Sequence, residues 1–103
     1  MNITGFCGVI AGPSAIGTIL PGLNATPAPT MAAFYNAGRM PIAVWLSDTD
    51  FDFSELSFAN ADGIALPGTT VELPIDSNGY FAYLAGPPGA LNSWGTLIVC
   101  TGH

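Results

Sequence analysis

Short runs in which hydrophobic and polar residues alternate follow one another from Met31 onward, with turn residues between them at intervals of about ten positions. The clearest run is Pro41 to Ser47, and Thr69 to Ile75 repeats the pattern. A period of two is that of a β-strand with one face in a hydrophobic core. Further strands are predicted at Ile64 to Leu66, Tyr80 to Leu84 and Gly95 to Thr101.

Two turns between these runs have residues suited to tight reversals. Pro67-Gly68 places a fixed φ before a residue that tolerates positive φ. Asp76 to Gly79 reads Asp-Ser-Asn-Gly, which predicts a hairpin with Tyr80 to Leu84 as the return strand. No window shows a sustained helical period. The pattern therefore predicts an all-β fold, a small antiparallel β-sandwich or barrel of about seven short strands.

The first 30 residues differ from the rest because they are rich in Gly, Pro, Ala and Thr. Residues 20–30 contain three prolines, which favour extended chain. Ala15 to Leu20 has the pattern of a short strand. We therefore expect an extended N-terminal arm over residues 1–30, lying along its own domain or a neighbour's, and a β-sandwich domain over residues 31–103.

Charge is scarce in this chain. Charged residues are 8% of the total and hydrophobic residues 50%, so a domain of 103 residues should expose apolar patches that partner chains cover. The single cation, Arg39, argues against a nucleic-acid partner, because phosphate binding needs clustered Lys and Arg. No apolar run of about 20 residues indicates a membrane span, and Met1 to Leu20 has no basic start typical of a secretion signal.

Few residues offer catalytic or metal chemistry. His103 is the only histidine, and the serines lack the context of a nucleophile elbow, so we expect no enzyme and no cofactor. Asp48, Asp50 and Asp52 have the opening spacing of a calcium loop, but Phe53 stands where an EF-hand needs glycine. A weak calcium site and a solvated turn both remain open for these aspartates.

Two cysteines, Cys7 and Cys100, lie near opposite ends of the sequence. Their positions permit a bond between them without requiring one. In the absence of a secretion signal, we expect two free thiols in a reducing compartment.

Three stretches carry a resemblance to a known group of proteins: AGRMPIAVWLSDTD from residue 37, NADGIALPGTTVELPIDSNGYFAYLAG from residue 60, and WGTLIVCTG from residue 94. In order of strands and turns they resemble small β-sandwich virion proteins of tailed bacteriophages. The resemblance covers roughly two-thirds of the chain and is architectural. It implies a head-decoration, head-fibre or tail-associated subunit of a virion, assembled in the host cytoplasm.

The expected function is thus a non-enzymatic structural subunit that decorates or cements a capsid. Its expected partners are itself, as a homotrimer or other homo-oligomer, and virion proteins such as the major capsid protein. The expected contact residues are large and apolar or aromatic: Phe6, Ile10, Ile19, Leu20, Phe34, Tyr35, Trp45 and Trp94.

A second hypothesis is a receptor-binding or carbohydrate-binding module of a phage fibre or tail. In it, Trp45, Trp94 or Tyr83 would stack on a sugar and the aspartates around Asp50 would make polar contacts or hold calcium. Binding of the isolated domain to a glycan array would favour this hypothesis.

Overall fold

The computed structural model describes residues 3–12, 15–20, 23–24, 28–49, 57–75, 79–86 and 95–103. Within them lie eight β-strands, no α-helix and a 3-10 turn at Phe58–Asn60. The strands are β1 (Ile3–Gly12), β2 (Ala15–Ile19), β3 (Met31–Asn36), β4 (Ile42–Ser47), β5 (Gly63–Ala65), β6 (Thr70–Pro74), β7 (Tyr80–Ala85) and β8 (Gly95–Gly102). The all-β prediction is confirmed.

The strands form two four-stranded antiparallel sheets. Sheet I has the order β1-β8-β3-β6, and sheet II has the order β2-β7-β4-β5. Along the chain, each of these strands is followed by a strand of the other sheet, except that β4 is followed by β5 of the same sheet. This arrangement of eight strands in two sheets is that of a double-sheet jelly roll, which belongs to the β-sandwiches.

The N-terminal segment is part of the sandwich. β1 pairs with β8 at Ile3 and, after a register shift, from Cys7 to Gly12, and β2 pairs with β7. The expected boundary at residue 30 therefore does not separate an arm from a domain, because residues 3–12 and 15–19 supply an edge strand to each of the chain's own sheets. The strand expected at Ala15 is present, and it ends at Ile19.

The prediction of a hairpin at Asp76 to Gly79 is wrong, because the strands before and after it lie in different sheets. Residues 76–78 themselves lie outside the described part of the chain. β6 pairs with β3 in sheet I, whereas β7 pairs with β2 and β4 in sheet II. Tyr80 to Ala85 therefore does not return beside β6. The central position of β7 also accounts for its sequence, since five of its six residues are buried.

The main core lies between the two sheets. Phe34 of sheet I meets Phe81 of sheet II with ring centroids 5.6 Å apart and planes tilted by 58°, an arrangement favourable for aromatic pairs. Around them pack buried aliphatic and aromatic side chains from both sheets: Leu20, Ile42, Val44, Ile75, Tyr83, Leu97 and Val99. Alternation in β3 and β8 explains this core, because every second residue of these strands points inward.

Two glycines allow the sheets to approach each other. A Cβ at Gly63 would lie 2.7 Å from Val71 Cγ1, and a Cβ at Gly95 would lie 2.7 Å from the Cβ of Ala85. Gly63 lies on β5 and Val71 on β6, so the edge strands of the two sheets touch there. Since β1 and β2 are the opposite edges of the same sheets, they lie on the other side of the sandwich.

The predicted turn at Pro67-Gly68 is present and joins the two sheets. Thr69 N donates to the carbonyl of Leu66 at 2.9 Å, and Gly68 has a φ of 77°. A proline followed by a residue with positive φ is what a type II turn requires, and glycine adopts that φ without steric cost.

Candidate interaction surfaces

The centre of the outer face of sheet II, on β4 and β7, is covered by the chain itself, whereas Ile64 on the edge strand β5 stays 44% exposed. Ala43, Trp45, Ala82 and Leu84 point away from the main core, yet they are buried against Phe58 and Ala61. Trp45 Nε1 donates to Asn60 Oδ1 at 2.9 Å, and the backbone N of Ser57 donates to the same oxygen at 3.0 Å. The segment around the 3-10 turn is thereby fixed to β4, and this face is a second, smaller core.

The outer face of sheet I carries an exposed apolar row. Val9 pairs with Ile98, Ile98 pairs with Tyr35, and Tyr35 pairs with Thr70, so these four side chains lie side by side across the sheet. Val9 is 69% exposed and Tyr35 is 38% exposed, while Ile98 is half-buried. Next to this row lie Cys7, Cys100 and Ala33, followed by Glu72 on β6. Among the residues that the structure describes, none packs over this row as Phe58 packs over sheet II.

A disulfide bond joins Cys7 of β1 to Cys100 of β8 on this outer face. The expectation of two free thiols is therefore corrected. The two residues are direct partners in the antiparallel register, with their Cα atoms 4.2 Å apart, because β1 lies along β8 where an arm had been expected. The bond closes a loop with a sequence separation of 93 residues.

Charge is distributed very unevenly over the sandwich. All eight charged residues of the chain lie between Arg39 and Asp76. Strands β1, β2, β3, β7 and β8 therefore contain none, whereas Glu72 lies on β6 and Asp62 directly precedes β5. The side of the sandwich formed by β5 and β6 is acidic, and the side formed by β1 and β2 is uncharged.

The predicted contact residues separate into three groups. Ile19, which is 62% exposed, and Tyr35 lie at the surface. Leu20, Phe34 and Trp45 are buried in the chain's own cores, so they are corrected to core residues that have almost no surface left for a partner. The side chains of Phe6 and Ile10, and the whole of Trp94, lie outside the described part of the structure.

Two of the three aromatic residues of the carbohydrate hypothesis, Trp45 and Tyr83, are buried. Trp45 is only 5% exposed and Tyr83 is fully buried in the main core, so neither offers a ring face to a sugar. Burial also raises the pKa of the Tyr83 hydroxyl above its usual value. Of the residues proposed for stacking, Trp94 lies outside the described residues.

The candidate metal and catalytic residues remain separate in the described structure. Asp48 is exposed at the end of β4, and Asp50 and Asp52 lie outside the described residues. Across the described ranges, no group of three or more His, Cys, Asp or Glu is placed to hold a metal ion. His103 lies beside Thr30, whose Oγ1 is 3.4 Å from the His103 Nδ1.

One residue that the sequence analysis did not single out organises the acidic side. Asn36 is fully buried at the end of β3, and its Nδ2 donates to the carbonyls of Met40 at 2.7 Å and Ala65 at 2.8 Å. Its Oδ1 accepts from Gly38 N at 2.9 Å. Ala65 belongs to sheet II, so this amide joins the sheets beside the turn at Gly68. In the sequence, the sign of this role is that Asn36 is the polar residue at an inward-pointing position of the alternating strand β3.

No family model, no curated protein and no solved structure matches the chain. Within the described ranges, no helix has both the length and the apolar character needed to cross a membrane.

Proposed function

We propose that this protein is a non-enzymatic structural subunit of a virus particle, and that it decorates or cements a bacteriophage capsid. The observation that carries the proposal is the difference between the two outer faces. The chain covers the centre of the outer face of sheet II with its own residues and leaves Ile64 exposed only at the β5 edge, but on sheet I it leaves the row of Val9, Ile98 and Tyr35 accessible across three adjacent strands. A neighbouring subunit of the particle is the partner that fits such an apolar face.

Low charge supports the same proposal. Interfaces between permanently associated subunits are depleted in charged residues at their centres. The described part of the outer face of sheet I carries one charged side chain, Glu72, at the far edge on β6. A protein with this face would be covered by copies of itself and by other shell proteins.

The disulfide is compatible with a position on the outside of a particle. Disulfides persist in oxidising surroundings, and virion surfaces are among them. A bond between Cys7 and Cys100 that closes after release from the host cytoplasm would stabilise a subunit that no longer has access to cellular repair. Jelly rolls are also an architecture used by viral capsid proteins, as well as by lectins and cupins, so the fold supports the proposal by analogy only.

Locating the chain in purified particles tests this proposal. Particles from an infected culture are separated on a density gradient, and the protein is followed by mass spectrometry and by antibody labelling in electron micrographs. We expect it to comigrate with the particles in a fixed ratio to the major shell protein. A protein found only in the soluble lysate would refute the structural role.

A pair of variants connects the test to the outer face of sheet I. Ile98→Lys places a charge in the middle of the exposed row, and Thr70→Lys places the same charge at its β6 end. We expect Ile98→Lys to abolish incorporation into particles while Thr70→Lys retains it. Equal incorporation of both folded variants would exclude this face as the contact surface.

A further inference from the structure

Among the residues that the structure describes, the outer side of β1 is a strand edge that no other strand covers. Natural edge strands are usually short, charged, interrupted by proline or covered, because their free backbone groups otherwise pair with other strands. β1 has ten residues and contains neither charge nor proline; its register shift lies between Ile3 and Cys7, and its pairing with β8 is regular from Cys7 to Gly12. The other edges follow the rule: β5 has three residues, β2 has five with an irregular register, and β6 carries Glu72 and Pro74.

The register identifies which backbone groups of β1 point outward. In an antiparallel ladder, narrow pairs with Cα atoms about 4.5 Å apart exchange no hydrogen bonds, and they alternate with hydrogen-bonded pairs. Cys7 and Cys100, at 4.2 Å, are such a narrow pair. By alternation, Val9 with Ile98 and Ala11 with Thr96 are narrow pairs too. The N–H and C=O groups of Cys7, Val9 and Ala11 therefore point away from β8.

Hydrogen bonds on the other side of β8 agree with this assignment. Ala37 N donates to the carbonyl of Thr96 at 2.9 Å, and Thr30 N donates to the carbonyl of Gly102 at 2.8 Å. The even-numbered residues of β8 thus direct their backbone groups toward β3, and they leave their partners on β1 free to face outward. Within the described residues, β1 pairs with no strand other than β8.

We propose that β1 pairs antiparallel with β1 of a second copy of this chain, about a two-fold axis at Val9. Val9 would face Val9 of the partner copy, and Cys7 would face Ala11, giving about six backbone hydrogen bonds. The two copies of sheet I then form one continuous eight-stranded sheet. This pairing rests on the self-association in the proposed function and assigns its contact strand.

Charge favours a second copy meeting at this edge. Each copy has a formal charge of -6, so two copies repel each other wherever their acidic sides approach. β1 and β2 lie on the uncharged side of the sandwich, opposite Glu72 and Asp62. A two-fold axis places identical residues opposite each other, and uncharged residues such as Val9 make that symmetric pairing favourable.

Proline substitution tests the pairing with a matched control. Val9→Pro removes an outward N–H while leaving the ladder between β1 and β8 intact, since the Val9 N–H does not donate to β8. Thr70→Pro makes the same change at the other edge of sheet I, where Thr70 forms a non-hydrogen-bonded pair with Tyr35. Light scattering after gel filtration measures the mass of the wild type and both variants over a range of concentrations.

We expect the wild type and Thr70→Pro to dimerise, and Val9→Pro to raise the dimer dissociation constant about 10- to 100-fold. If proline disturbs folding, Val9→Lys is the second variant, because it keeps every backbone donor and adds a charge. We expect Val9→Lys to weaken the dimer as well. Circular dichroism and the absence of free thiols check that each variant is folded.

The outcomes separate this inference from the proposed function. Dimerisation that is equally strong with Val, Pro or Lys at position 9 overturns the β1 pairing, while a particle subunit that uses another surface still stands. A wild type that stays monomeric at high concentration overturns the pairing and the expected homo-oligomer together, although incorporation into particles could still support a cement role.

Discussion

The two edges of sheet I are built in opposite ways. β1 is long, uncharged and held to β8 by a disulfide on the outer face, whereas β6 is short, carries Glu72 and ends at Pro74. β6 is attached through polar contacts at its start, where Asn36 N donates to the carbonyl of Thr69 and Gly68 N donates to the carbonyl of Asn36. Polar contacts attach β6 to its neighbour β3. A covalent bond attaches β1 to its neighbour β8, and it uses none of the outward backbone groups of β1.

This difference suggests how a sandwich can present a strand for pairing without losing it. A strand with one neighbour is the part of a sheet that frays most easily. A bond to that neighbour through side chains uses none of the outward N–H and C=O groups. On β6, in contrast, the backbone groups of Thr70, Glu72 and Pro74 point away from β3. Pro74 has no N–H to donate, so a further strand cannot form a regular hydrogen-bond ladder with the outer side of β6.

The largest expected effect comes from removing the covalent attachment of β1. The double variant Cys7→Ala with Cys100→Ala should lose about 4–5 kcal/mol of unfolding free energy, because the bond closes a loop of 93 residues in the unfolded chain. Urea denaturation measures the loss, and the wild type under reducing conditions is the control. Hydrogen exchange should rise first in β1 and later in β6. Simultaneous loss of protection in both strands would contradict the comparison.

A smaller effect is expected from the polar attachment at the other edge. Asn36→Ala leaves the carbonyls of Met40 and Ala65 and the Gly38 N–H without the side chain that they bind, and it should cost about 3 kcal/mol. Exchange should rise in β6 and in the turn at Gly68, with β1 still protected. Thr70→Ala, at an exposed position of β6, is the control and should change stability by about 0.5 kcal/mol or less. An Asn36 variant as stable as this control would show that the amide does not secure the edge.

The smallest effect concerns the core that both edges share. Burial raises the pKa of Tyr83 in the folded state, so the stability that its neutral hydroxyl gives is complete below the unfolded pKa near 10 and is lost as pH rises toward the folded value. Denaturation curves from pH 7 to pH 11 should therefore decline more steeply for the wild type than for Tyr83→Phe. As the pH rises, β1 and β6 should lose their protection from hydrogen exchange together. Parallel pH profiles would argue against burial as the cause.

The alternating strands were predictable because their signal is local. β4, β6, β7 and β8 begin and end within one residue of the expected positions, since each has a period of two bounded by turn residues. β1 was missed as part of the sandwich because its three glycines, at positions 5, 8 and 12, interrupt the pattern and resemble those of a flexible segment. The partner of a strand is not a local property, so the turn after β6 did not reveal that β7 joins the other sheet.

The candidate surfaces were only partly predictable for the same reason. Large aromatic residues favour both interfaces and cores, so residue type alone did not separate exposed Tyr35 from buried Phe34, its neighbour in β3. Strand parity does separate them once the inward face is known. The expected reducing compartment led to the wrong prediction of free thiols at Cys7 and Cys100. The register that makes these residues partners depends on the pairing of the first and last strands, which is not a local property of the sequence.

The bond between Cys7 and Cys100 also makes most of this polypeptide a covalent ring. A protease that nicks one peptide bond between these two residues cuts the backbone but releases no fragment. Both strands at the site of the bond stay attached to each other, and the remaining strands stay attached to one of them. Two separate cuts are needed before any piece of the ring can leave.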